Sequence, residues 1–309
     1  MTVDLAKGVL ARDRRSIAKA LTLVERGGAP AAKLLEDLWP STGKARRIGM
    51  TGPPGVGKST LVDRMATSLV GAGESVGVLC VDPSSLFHGG ALLGDRIRMG
   101  ESAAQDEVFI RSLSSRGCLG GIAAATEGAA DILDAAGFDV VLVETVGVGQ
   151  SEVEVAFETD TVVVVLAPGA GDGIQAMKSG LMEVAHVICV NKSDLPDASG
   201  VVLDVEDALS LSDRETRPKV VEARAREEGG ADALLAAITD VGQATSEAGR
   251  FEASRRRLLR QASVTLSKRL EPLLDRHQDL IQQIVDRQTT IPAASRELLK
   301  VLESEEDMQ

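Results

Sequence analysis

Histidine and cysteine are scarce here, three of each in 309 residues. Cys80, Cys118, Cys189, His88, His186 and His277 are scattered and form no Cys-x-x-Cys or spaced His pair. A zinc site built on such spacing is therefore not supported. An odd cysteine count argues against a disulfide framework, and Cys80 and Cys189, set in the apolar runs Val78–Val81 and Val187–Val190, read as buried reduced thiols. Positive charge is also in deficit: 34 Lys and Arg against 46 Asp and Glu give a net charge of −12. That balance argues against a broad electrostatic footprint for nucleic acid or an anionic membrane. Long uncharged runs are missing too. The longest, Pro83 to Gly94, has 12 residues with three glycines and a proline, too short and too broken to cross a bilayer. The first residues, with Asp4, Lys7, Arg12 and Asp13, lack the apolar stretch of a secretory signal. The expectation is a cytoplasmic chain with no nucleic-acid or membrane partner. What remains is an ordinary globular balance, 44% apolar and 26% charged, enough for a sizeable core and about two domains.

Along the chain the apolar period changes twice. Residues 3–44 read as helical: Leu5, Val9, Leu10, Ile17, Leu21 and Val24 recur near a 3.6-residue repeat, Gly27-Gly28 ends that run, and Pro30 reopens a second short segment through Leu35 to Trp39. From Arg46 short β-branched runs alternate with helical stretches: Ile48–Thr51, Val76–Val81, Val108–Ile110, Val140–Val143, Thr161–Ala167, Val187–Val190 and Val220–Val221. Nearly continuous apolar strands are buried on both faces, so the fold class is α/β, a mainly parallel sheet covered by helices. After about Ser246 the strands cease, and Arg250–Leu274, His277–Arg287 and Ala293–Glu303 read as helices separated by Pro272 and Pro292. The expected organisation is an N-terminal helical segment 1–44, an α/β domain 45–245 and a C-terminal helical arm 246–309. The cluster Arg255–Arg257 with Arg260, and the acidic end Glu303–Asp307, read as solvated faces and a frayed tail.

The first strand runs into Gly52-Pro-Pro-Gly-Val-Gly-Lys-Ser59, a complete G-x-x-x-x-G-K-S loop, then Thr60 and a helix. Such a loop turns backbone amides inward around a polyphosphate: Gly52, Pro54, Gly55, Val56, Gly57 and Thr60 shape the cradle, Lys58 neutralises β and γ oxygens, and Ser59 can ligate Mg²⁺. The strand Val187–Val190 leads into Asn191-Lys-Ser-Asp194. In an N-K-x-D loop the aspartate accepts from guanine N1 and N2 while Asn191 and Lys192 hold the loops, and a carboxylate so aimed rejects adenine. GTP and GDP are the expected nucleotides. Glu144 ends the strand Val140–Val143 three residues before Gly147, whose amide can meet a γ-phosphate. Asp82 and Asp95 are acidic residues near the phosphate loop of the kind that hold Mg²⁺ directly or through water. Lys58, Glu144 and Gly147 are thus the catalytic candidates, and Ser59, Asp82, Asp95 and Glu144 the metal candidates.

Several stretches together resemble one family, the methylmalonyl-CoA mutase-associated GTPases or MeaB/ArgK group: Gly52–Thr60, Val81–Ser85, Gly89-Gly90, Leu93–Met99, Ser115–Gly117, Leu119–Gly121, Glu144–Glu152, Pro168–Asp172 and Asn191–Asp194. The resemblance implies a P-loop G protein acting as chaperone for an adenosylcobalamin-dependent acyl-CoA mutase. It would couple GTP binding and hydrolysis to cofactor delivery from a cobalamin adenosyltransferase, and protect or reactivate the mutase. It further implies that Asp82, Asp95 and Glu144 are the metal-associated acids of two switches, that Gly147 senses the γ-phosphate, that Pro168 to about Lys178 forms an added switch meeting the mutase, and that the C-terminal helices form a homodimerisation arm.

Two positions depart from the family pattern. Gly173 stands where an acidic residue is common, and the turn that offers an amide to guanine O6 reads Ala223-Arg224-Ala225, which leaves a backbone contact from Ala225 possible. No residue is assignable as the orienter of the attacking water; Gln150 lies three beyond Gly147. Slow intrinsic hydrolysis, stimulated when a partner orders the switches, is the expectation. Competing readings are a nickel-type metal-insertion GTPase, which calls for Cys and His clusters, and a P-loop kinase or ATPase linked to amino-acid transport, which calls for no guanine preference. A partitioning-type ATPase calls for a second lysine where Pro53 and Pro54 stand, and a nucleotide-dependent scaffold calls for negligible hydrolysis.

Overall fold

The computed structural model describes residues 2–82, 102–114, 121–145, 159–169, 181–211, 217–243 and 247–306. Two compact units divide at Arg250. In the first, three helices, α1 (Thr2–Leu10), α2 (Arg14–Arg26) and α3 (Ala29–Leu38), precede the sheet. The run expected from Leu5 to Val24 is in fact broken between Leu10 and Arg14. Asp13 caps α2, its carboxylate accepting from the Ser16 amide at 2.8 Å and the Ser16 hydroxyl at 2.6 Å, and Arg12 takes a left-handed φ of 58° to make the corner. Hydrogen bonding to Ser16 lowers the Asp13 pKa, as a capping carboxylate requires.

Seven strands follow: β1 (Arg46–Thr51), β2 (Val76–Asp82), β3 (Val108–Ser114), β4 (Val140–Thr145), β5 (Thr161–Leu166), β6 (Val187–Val190) and β7 (Lys219–Glu222). They form one sheet in the order β3-β2-β4-β1-β5-β6-β7, every described pairing parallel. All seven apolar runs in the sequence are strands. Alternate residues serve opposite faces. Val140 and Leu142 of β4 join Leu61, Met65 and Leu69 of α4 (Lys58–Gly71) and Leu234 and Ile238 of α8 (Asp232–Gln243). Val141 and Val143 instead meet Ile132 and Leu133 of α5 (Gly121–Ala135) together with Ile17, Leu21, Leu34 and Leu38 of the N-terminal helices. Beyond β1, Val162, Val164 and Ile188 are covered by Leu181 of α6 (Leu181–Val184) and by Val205 and Leu209 of α7 (Ala198–Ser210). Full burial of each such side chain contributes about 1.5–3 kcal/mol, which is why strands this apolar must be covered twice.

One polar knot ties these layers together. Arg47 is 5% exposed and donates through Nη2 to Asp131 at 2.6 Å and Asp134 at 3.0 Å. Asp134 also accepts the amides of Gly43, Lys44 and Ala45 at 2.7, 3.1 and 3.0 Å. Burial works against both charges, yet the pairing prevails: the Arg47 pKa is raised, and the amides with Arg47 hold Asp134 below the usual carboxylate range. Cys80 and Cys189 are buried and in no disulfide, and burial pushes the Cys189 thiol up to about 12. Cys118 lies outside the described residues.

The second unit, Phe251–Gln309, holds most of α9 (Glu247–Arg276) together with α10 (Gln278–Val285) and α11 (Ile291–Glu306). Leu273, Leu280, Leu298 and Leu302 form its small core. Pro272 does not separate helices as expected but sits inside α9. Near the end of a helix a proline removes one amide bond, and here the packing of Leu270 and Leu273 outweighs that loss. The break falls at His277 instead, whose amide bonds to the Leu273 and Leu274 carbonyls. Pro292 opens α11 at a position where its missing N–H is harmless. No described helix is long and apolar enough to cross a membrane.

Candidate nucleotide site

Because the strands are parallel, the carboxyl ends of β1, β4, β6 and β7 share one edge of the sheet, where an open α/β sheet binds its ligand. The loop after β1 needs glycine there for steric reasons. Gly52 has φ 136°, and a Cβ on it would stand 2.2 Å from the Val165 carbonyl oxygen of β5. Gly57 has φ 98°, and a Cβ would stand 2.4 Å from Asn191 Nδ2. No side chain fits at either position. Lys58 opens α4, is 6% exposed, and donates to the Gly52 and Pro53 carbonyls at 2.5 and 2.9 Å. Ser59 Oγ donates to Glu144 Oε1 at 2.5 Å. Glu144 itself is 2% exposed and pairs in register with Met50 of β1. The neighbouring Thr145 hydroxyl is 3.3 Å from both the Met50 carbonyl and the Thr51 hydroxyl, fixing the end of β4 against β1.

At the other end of the site Asn191 joins two loops. Its Nδ2 donates to the Val56 carbonyl at 2.9 Å, and its Oδ1 accepts the Ala225 amide at 3.2 Å. Lys192, at a positive φ of 58°, donates through Nζ to the Gly55 carbonyl at 2.7 Å. A left-handed lysine is held only where its surroundings over-determine it, a pattern common at functional sites. The Ser193 amide donates to the Ala223 carbonyl at 3.1 Å, and Arg224 Nε lies 3.3 Å from Ser193 Oγ.

These groups enclose a cavity of about 810 Å³, a common size for a small-molecule site. Its walls bring together Pro54, Gly55, Gly57, Lys58, Ser59, Thr60, Glu144, Asn191, Lys192, Asp194 and Ala225. Leu195, Arg226 and Glu227, which sequence reasoning did not single out, also line it. Val56 is fully buried beneath the loop and presents its carbonyl to Asn191. Asp82 ends β2, one register step beyond the residue paired with Thr145, so its backbone lies on the same sheet edge. Asp95, Gly147, Gln150, Gly173 and the expected added switch beyond Gly169 lie outside the described residues.

Residues 17–279 match the family model for the methylmalonyl-CoA mutase-associated GTPase MeaB. The chain is 40% identical over 250 residues to the GTPase ArgK of Escherichia coli, covering 78% of this chain and 76% of that protein. It is 36% identical over 242 residues to the mitochondrial methylmalonic aciduria type A homolog of Mus musculus, covering 72% of this chain and 58% of that one. Among solved structures, that of a LAO/AO transport system kinase superposes with a TM-score of 0.73 at 28% identity, covering 98% of this chain and 97% of the other. With the phosphate loop, the N-K-x-D loop and Glu144 converging on one cavity, the chain belongs to the MeaB family of P-loop GTPases.

Proposed function

We propose that the protein binds and hydrolyses GTP and thereby gates adenosylcobalamin loading of an acyl-CoA mutase, methylmalonyl-CoA mutase or a relative, protecting or reactivating that enzyme. One observation carries the nucleotide half of this reading: Asn191 bonds both the phosphate loop at Val56 and the 223–227 loop at Ala225, with Asp194 in the same cavity wall. The family membership carries the partner half.

In this reading Asp194 accepts from guanine N1 and N2, while Lys192 and Asn191 hold the loops that flank the base. The backbone of Gly52–Thr60 cradles the phosphates and Lys58 delivers positive charge to their β and γ oxygens. Ser59 Oγ and Glu144 Oε1, 2.5 Å apart, are hard oxygen donors of the type Mg²⁺ takes when phosphates complete its shell, and Asp82 and Asp95 fit the same role through water. Bound there, Mg²⁺ would neutralise charge developing on the phosphate oxygens. Hydrolysis then joins a water oxygen to the γ-phosphorus as the bridging oxygen departs with GDP and the water proton passes to phosphate or solvent. The Gly147 amide would read the γ-phosphate, and residues from Pro168 to about Lys178 would carry that state to the mutase. Residues 1–44 complete the cover of the GTPase domain 45–245, and 246–309 form a homodimerisation arm. A cobalamin adenosyltransferase is the expected second partner, in the cytoplasm.

The test is steady-state hydrolysis of GTP and ATP by the full chain with Mg²⁺, alone and with adenosylcobalamin-dependent acyl-CoA mutases. Slow GTP turnover that a mutase accelerates supports the proposal. GTP turnover that no mutase changes removes the partner half, and label from γ-phosphate appearing on a protein acceptor favours the kinase reading suggested by the name of the structural relative.

A further inference from the structure

Ala225 is held from both sides of its own residue. Its amide goes to Asn191 Oδ1 at 3.2 Å, and its carbonyl accepts from Arg64 Nε at 3.2 Å. Arg64 lies on α4, six residues after Lys58 and on the same helix that receives the phosphate loop. Following the bonds from Val56 to Asn191, from Asn191 to Ala225 and from Ala225 to Arg64, then back along α4, closes a ring. The ring couples the loop beneath the phosphates to the turn that forms the base end of the cavity, where the Glu227 amide bonds the Arg224 carbonyl at 2.8 Å. Two of its contacts, Val56–Asn191 and Asn191–Ala225, are buried, and the Arg64 contact is partly buried.

We propose that Arg64 is a positioning residue for guanine recognition: without touching the nucleotide, it fixes the 223–227 loop through the Ala225 carbonyl. This rests on the reading that the cavity's Asn191–Asp194 end receives the base. The physical basis is that the Asn191 bond fixes the peptide before Ala225, whereas the peptide after it, which leads to Arg226 and Glu227 in the cavity wall, is held at its carbonyl by Arg64. A charge-assisted bond at that carbonyl limits rotation of this peptide before the base arrives, so binding loses less to ordering. The guanidinium also donates through a rigid planar group, which a lysine cannot reproduce in direction.

The experiment is competition binding of GDP, ADP and inorganic pyrophosphate to the full chain with Mg²⁺, for wild type, Arg64→Ala and Arg64→Lys. Pyrophosphate occupies the phosphate loop without a base, so it separates loss of base positioning from general damage to α4. Loss of one charge-assisted hydrogen bond predicts GDP weakened about tenfold in Arg64→Ala, with Arg64→Lys between it and wild type, and pyrophosphate and ADP changed less than about twofold. Parallel loss of GDP and pyrophosphate assigns Arg64 a purely structural role and overturns the proposal, as does unchanged GDP binding in both variants. Should Arg64→Ala fail to fold, the GDP-to-pyrophosphate ratio in Arg64→Lys decides on the same criterion. Wild-type protein that does not prefer GDP to ADP overturns the base reading and this inference with it, whereas wild-type preference retained in full by the variants overturns this inference alone.

Discussion

Ser59 Oγ donates to Glu144 Oε1 across 2.5 Å, joining the first turn of α4 to the end of β4. The carboxylate is 2% exposed, and a buried carboxylate needs a partner or a cation. Both side chains stand in the wall of the cavity that holds Lys58. Glu144→Gln keeps the shape and removes the charge, so Mg²⁺-dependent GTP affinity should fall about 10–100-fold while affinity measured with excess EDTA changes little. Equal loss with and without metal would assign Glu144 to packing. Ser59→Ala should lose the same metal-dependent part.

In the proposed reading Asp194, in the cavity wall, supplies the chemistry that separates guanine from adenine. Replacing it with asparagine turns an acceptor pair into one acceptor and one donor. Asp194→Asn should weaken GDP by about 100-fold, the effect of losing one hydrogen bond and the charge assistance of the other. The new amide donor should favour a base bearing a C2 carbonyl, so xanthosine diphosphate should gain what GDP loses. Calorimetric titration with both nucleotides checks this. GDP affinity that survives the substitution would show the base to be read elsewhere.

The sheet was legible because a doubly covered parallel strand can be written only in β-branched and apolar residues, as Val140–Val143 and Thr161–Leu166 are. The phosphate loop was legible because the Val165 backbone at Gly52, and a positive φ with the Asn191 side chain close by at Gly57, leave no room for a Cβ. Other features leave weaker traces. The corner at Arg12 has a positive φ without a glycine to announce it, and the capping by Asp13 sits within an otherwise helical period. Pro272 carries a strong breaker signal, but Leu270 and Leu273 pack in one cluster with Leu280, Leu298 and Leu302, beyond the reach of a local pattern. Arg64 had no local signature at all: it is a polar residue on a helix, and its partner Ala225 lies 161 positions on.

The Arg47 knot makes stability depend on acid. The Asp134 pKa is lowered in the folded chain because three amides and Arg47 outweigh its burial, so its stabilising contribution is present above the unfolded carboxylate pKa and is lost as pH falls through the lower folded value. Asp139, lowered by the amide and hydroxyl of Ser75, acts in the same direction. Thermal melting should therefore be flat near neutrality and fall steeply below the ordinary aspartate range, about pH 4. Asp134→Asn should flatten that acid limb, and Asp134→Ala should cost about 3–5 kcal/mol at neutral pH by leaving Arg47 short of one buried partner. Chemical denaturation of the two variants between pH 3 and 7 measures both effects.

The proposed homodimer can be tested on α9. Phe251 and Leu258 are seven residues apart and 69% and 71% exposed; Leu259 and Leu266 repeat that spacing one residue on, at 58% and 40%. Two rows at a seven-residue repeat, about 100° apart round the helix, make a broad exposed apolar face, the kind of surface a helix buries against another element. In a two-fold dimer every substitution counts twice, so removing one buried leucine from each copy should weaken association by about 3–6 kcal/mol, or roughly 100- to 20,000-fold. Leu258→Glu adds charge repulsion to that loss. Sedimentation equilibrium of the wild-type chain should give a dimer at micromolar concentration and Leu258→Glu a monomer, with the melting of the nucleotide-binding unit unchanged. A dimer that persists in both Leu258→Glu and Phe251→Glu would move the interface off this face, and a wild-type monomer would leave the face without the proposed role.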